Sequence, residues 1–183
     1  MQANKISIQT LCKISVFVAV IAVMAQISMP LLGVPLTMQT FAVALAGVVL
    51  GAKKGAAAAL VYILLGALGV PVFAQFRGGF DLLFGPTGGY IISFPIMAFA
   101  VGFGADKEKR LWLAFGLVIG SAINLSMGMM QLAFVNQISL QAAFFAGVLP
   151  FVPAELIKLV AVYFVGFRAR QALEKIRRRQ GVH

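Results

Sequence analysis

Long apolar runs dominate this chain, and its charged residues collect in the gaps between them. The runs predict membrane-spanning helices at 13–32, 39–51, 55–69, 89–104, 111–135 and 142–167. The second and third are short. At 1.5 Å per residue they reach about 20–23 Å, less than a hydrocarbon core of roughly 30 Å. Either a loop buried in protein extends them, or 39–69 is one long hairpin that thins the bilayer. The connection 70–90 is too long for a turn and too apolar for a solvated loop. Phe73, Phe76, Phe80 and Phe84 are predicted to seek a partly buried surface there. Gly78, Gly79, Gly85, Gly88 and Gly89 permit sharp turns with positive φ. Pro71 and Pro86 prevent one continuous helix. A ligand lid and a structural re-entrant cap both fit this loop.

Composition agrees with lipid as the solvent. The chain has 183 residues, 61% of them hydrophobic, too many for a soluble domain of this length to hide. The expected fold class is an all-α integral membrane protein, a single membrane domain over 1–183. Cys12 is the only cysteine and His183 the only histidine, so neither a disulfide nor a cysteine–histidine metal cluster is expected. Lys5 and Lys13 before an apolar run resemble a signal peptide. The run is long and lacks a convincing cleavage site, so it reads as a retained first span.

The net charge of +10 would suggest nucleic acid in a soluble protein. Its placement has a simpler reading. Lys5, Lys13, Lys53, Lys54, Lys107, Lys109, Arg110 and the basic tail 168–183 all fall on one side of six alternating spans, and only Arg77 falls on the other. The positive-inside rule then makes both termini cytoplasmic. The tail reads as a helical extension near anionic headgroups. Gly51-Ala-Lys-Lys-Gly55 lacks the spacing and hydroxyl of a phosphate loop. With no nucleophile elbow and no zinc motif, the chain is expected not to be an enzyme and to need no cofactor.

The candidate chemistry lies in Pro150-Phe-Val-Pro-Ala-Glu-Leu-Ile-Lys158. Glu155 and Lys158 share one helix face at i,i+3 and sit deep in an apolar run. An ionised group at a helix centre costs about 2.5–3.5 kcal/mol on insertion scales, which marks such residues as functional-site candidates. A salt bridge that ties helices together is the alternative. Pro153 suits a first helical turn and puts Glu155 near the positive end of the helix dipole. Thr37 can cap the second span, and Gln39 below it should face protein or cavity. Arg77 can pair with Asp81 or meet a ligand carboxylate. Asn124, Ser126 and Gln131 are weaker candidates for helix–helix bonds. Gly47, Gly51 and Gly55, with Gly116 and Gly120, form small-residue packing stripes, as do Ala19, Ala22 and Ala25.

Four runs in order resemble a known family: Val34-Pro-Leu-Thr-Met-Gln39, Leu64-Leu-Gly-Ala-Leu-Gly-Val-Pro-Val-Phe73, Gly85-Pro-Thr-Gly-Gly-Tyr90 and the run ending at Lys158. They look like the BioY family, the biotin-specific substrate-binding subunits of energy-coupling-factor vitamin transporters. Glu155 stands where that family's pattern has aspartate, and Ala19, Ala22 and Ala25 stand where it has an alanine-x-x-x-alanine docking motif. The resemblance implies a six-helix protein of the cell membrane that captures biotin from outside. It also implies a transmembrane coupling subunit and two ATPase subunits as partners. Glu155 and Lys158 would then face the ureido ring, with Thr37 and Gln39 nearby. Phe73 and Tyr90 would cover the apolar parts, and Arg77 would meet the valerate carboxylate. The opposite pose, with Lys158 on the carboxylate, stays open as an alternative, as does a different small vitamin.

Overall fold

The computed structural model describes residues 8–31 and 34–179. Lys5, Leu32 and His183, which entered the sequence reading, lie outside the described residues. The chain forms helices α1 (Ile8–Gln26), α2 (Gln39–Leu50), α3 (Ala52–Ala67), α4 (Gly88–Ile92), α5 (Phe94–Asp106), α6 (Arg110–Asn136), α7 (Leu140–Gly147) and α8 (Val152–Arg179). Among the described residues, three helical segments are long and apolar enough to cross a membrane: α1, α4 with α5, and α6. A fourth is added if α7 and α8, bent by 55° at their junction, count as one span.

Four expectations are corrected. The first helix stops at Gln26 rather than continuing to residue 32. The chain turns instead into an antiparallel hairpin, β1 (Ser28–Leu31) with β2 (Val34–Thr37), so the fold is not purely helical. Pro30 and Pro35 face each other in this hairpin, and a proline is tolerated where its missing donor has no ladder partner to supply. The last span is broken at 148–151, where Pro150 interrupts the helix before α8 begins. Of the four phenylalanines in the 70–90 connection, only Phe73 is buried. Phe76, Phe80 and Phe84 are exposed from the protein, and the last two pack edge-on against each other. Of the five glycines expected to turn there, only Gly79 has a positive φ, and the left-handed conformations fall on Gln75 and Phe76.

Helix α5 is the hub, packed against α2, α3 and α6. Small residues allow its approach. A Cβ at Gly47 would sit 2.5 Å from the Ala98 carbonyl oxygen and 3.2 Å from the Gly102 nitrogen. Close backbone contact of this kind is how helices associate where lipid supplies no hydrophobic drive. Helices α2 and α3 meet at Gly51, whose φ of 82° only glycine adopts without strain. The Asp106 carboxylate accepts from the first N–H of α3, Ala52, at 3.0 Å. Arg170 of α8 donates to Asp106 at 3.0 Å and to the Val48 carbonyl at 3.1 Å. The α2–α3 junction, the end of α5 and the basic part of α8 are therefore clamped together. The Gly47→Val substitution must push α2 off α5. It is expected to cost about 1–3 kcal/mol, read as a lower unfolding midpoint in detergent.

Candidate functional site

At the opposite end from that clamp is a cavity of about 520 Å³. Its walls come from the β1–β2 hairpin, the start of α2, the 70–87 loop, α4, α6 and the start of α8. Every residue singled out from the sequence as binding lines it: Thr37, Gln39, Phe73, Arg77, Tyr90, Glu155 and Lys158. These seven come from five elements spread between residues 37 and 158.

Glu155 lies in the first turn of α8, after Pro153, as the proline placement requires. It and Lys158 are 5% and 7% exposed, and the ammonium sits 2.6 Å from Glu155 Oε2. The pair is not isolated. Thr40 Oγ1 accepts from Lys158 Nζ at 2.6 Å and donates to Glu155 Oε2 at 2.9 Å. Lys158 also donates to the Thr37 carbonyl at 3.2 Å. Ser121 of α6 donates to Glu155 Oε1 at 3.0 Å. All three ammonium protons are thus engaged, as burial demands. The longest of these bonds, to Thr37, is the one most easily exchanged. Glu155 Oε1 keeps a lone pair, because it accepts from Ser121 alone.

A second chain of bonds orders the neighbouring wall. Thr37 Oγ1 accepts from the Gln39 N–H and donates to Gln39 Oε1 at 3.0 Å. Thr37 thus precedes the N-cap Met38, yet still serves the first N–H of α2. Gln39 Nε2 donates to the Tyr62 hydroxyl, which donates to the Val72 carbonyl at 2.9 Å. The Tyr62 ring meets Phe73 edge-on at 5.6 Å. Tyr90 gives its hydroxyl to the Gly147 carbonyl at 2.7 Å, so it offers the cavity a ring and not a proton.

Arg77 is exposed at the mouth. It makes no ion pair with Asp81 among the described residues, although both line the cavity. Of the weaker candidates, Asn124 donates to the Tyr90 carbonyl and Ser93 Oγ, which leaves its own carbonyl oxygen toward the cavity it lines. Gln131 donates to the Leu83 and Gly85 carbonyls and pins the loop to α6. Ser126 is exposed and takes no part. Thr40, Ser121 and Tyr62 had no assigned role from sequence. Each is a hydroxyl within an apolar run, and that burial cost was the available signal.

The sequence signature of the BioY family matches residues 1–175. The probable biotin transporter BioY of Pyrococcus horikoshii is 43% identical over 168 residues, covering 92% of this chain and 97% of that protein. The biotin transporter BioY of Thermotoga maritima is 42% identical over 162 residues, covering 88% and 95%. The crystal structure of the S-component for biotin from an ECF-type ABC transporter superposes with a TM-score of 0.82 at 25% identity, over 93% of this chain and 95% of that one.

Thr40→Val strands one ammonium proton and one carboxylate lone pair. It is expected to cost about 1–3 kcal/mol of stability, measured by unfolding in detergent. In a double-mutant cycle that cost should shrink once Lys158 is Met, because the stranded proton is then gone.

Proposed function

The chain belongs to the BioY family, and we propose that it captures biotin at the outer mouth of this cavity. It is a multi-pass membrane protein and the biotin-binding S component of a transporter, not an enzyme in itself. The observation that carries the reading is a buried ion pair at one end of a cavity with aromatic walls and an arginine at its mouth.

Biotin is divided in the same way. Its ureido ring has two N–H donors and a carbonyl, its thiophane ring and chain are apolar, and its chain ends in a carboxylate. Glu155 Oε1 and the Asn124 carbonyl accept from the ureido N–H groups. Lys158 exchanges its long bond to Thr37 for the ureido carbonyl. Phe73 and Tyr90 cover the apolar parts, and Gln39 borders the polar end. Arg77 takes the carboxylate, for which a guanidinium is suited. The engaged state of the ammonium supports this pose over its reverse, because a carboxylate on Lys158 would lie beside Glu155.

The finer architecture follows the charge map. Six spans put both termini and the clamp at Asp106–Arg170 in the cytoplasm, with the cavity facing outward across the cell membrane. The 70–87 loop serves as the lid. A transmembrane coupling subunit and two ATPases supply the energy that the chain, without a phosphate loop, does not.

Calorimetry in detergent tests the site. Lys158→Ala should abolish biotin binding in a protein that still folds, and unchanged affinity would sink its role. Arg77→Ala should weaken biotin about 10–100-fold, the loss of a hydrogen bond to a charged group, and leave biotin methyl ester unaffected. The saturation of Lys158 favours a second reading, in which the pair only ties helices. In that case the double substitution Glu155→Leu/Lys158→Met keeps biotin uptake. A screen of other vitamins against the same protein settles the ligand.

A further inference from the structure

We infer that Gln26, the last residue of α1, is a positioning residue for the ligand: its carboxamide clamps the 73–77 turn and thereby holds Arg77 at the cavity mouth. Gln26 Oε1 accepts from the Phe76 N–H at 2.8 Å, while Nε2 donates to the Phe73 carbonyl at 3.1 Å and to its own helix at Ala22 O, 3.0 Å. One amide side chain thus engages the turn from both sides, as a neighbouring strand would.

The turn needs such support. Gln75 and Phe76 are consecutive and both left-handed, with φ of 61° and 54°. That conformation is unfavourable for residues with a Cβ and persists only where surroundings impose it. Its internal closure is slight: Phe73 N–H donates to Arg77 O at 2.9 Å, and Arg77 N–H reaches Ala74 O only at 3.4 Å. Phe76 and Gln75 are exposed, so packing of their side chains does not fix them. The turn carries Ala74, Gln75 and Arg77 into the cavity wall. Without Gln26 the two residues relax toward ordinary φ, and Arg77 leaves its place.

The inference rests on the reading of the cavity as the biotin site, and the experiment separates the two. Amide hydrogen exchange of the ligand-free protein in detergent is measured beside biotin dissociation. Gln26→Ala should speed exchange at Phe76 and Arg77 at least tenfold, with the α5 amides unchanged. It should raise the biotin dissociation rate at least tenfold, yet leave the affinity for biotin methyl ester unchanged, because the ester lacks the group Arg77 holds. The second substitution Phe76→Gly should recover part of the loss, since glycine adopts the left-handed form unaided. If Gln26→Ala does not fold, Gln26→Glu reads the same effect: it keeps the acceptor for Phe76 and loses the donor to Phe73. Unchanged exchange at Phe76, or equal loss for biotin and its ester, overturns the inference. If the unaltered protein binds no biotin, the functional reading falls, and the exchange rates alone still decide whether Gln26 clamps the turn.

Discussion

A buried ammonium must find three acceptors inside the protein, and in this chain that requirement organises one end of the fold. Lys158 meets it with a carboxylate from its own helix, a hydroxyl from α2 and the carbonyl that ends the hairpin. Glu155 in turn draws on α6 through Ser121. Three helices and the hairpin therefore converge at one end of the cavity. Replacing such an arrangement with apolar side chains is often harmless to stability, whereas removing one partner is not. The pair therefore holds only as a set: each of its hydrogen-bonding partners is needed while both charges stay buried.

The other end of the fold solves a different problem. Two short helices join there through a single glycine, and the first free N–H of α3 would be stranded at a buried helix start. Asp106 accepts from it, and Arg170 balances the carboxylate. Between the two polar ends, α5 approaches its neighbours through glycine and alanine. Charge occupies the ends and shape complementarity the middle, the division expected where lipid tails are as apolar as the core.

Much of this was legible in the sequence because lipid allows few exceptions. The helices lie close to the apolar runs, and the seven residues chosen for chemistry line one cavity. Glu155 and Lys158 stood out through their cost, and Pro153 set their place in the first turn. What escaped notice did so for specific reasons. Thr40 and Ser121 are small hydroxyl residues that a helix can satisfy on its own backbone. Their role depends on which helices meet, and one chain's hydropathy does not encode that. The first strand of the hairpin, Ser28–Leu31, read as helix because it is apolar enough to extend a span. The left-handed pair fell on glutamine and phenylalanine and not on the nearby glycines. A contact from a distant helix outweighed local preference there.

Helix α8 runs without a break from Val152 to Arg179. It carries Glu155 and Lys158 near its start and Arg170 twelve residues further on, a span of about 18 Å. The two polar centres of the protein are thus mounted on one stiff rod. A rod transmits tilt, not torsion of its parts, so the ion pair that lines the cavity and the arginine that grips the α2–α3 junction cannot be repositioned independently. Any force applied to one end arrives at the other as leverage, with no chain of side-chain rearrangements needed between them.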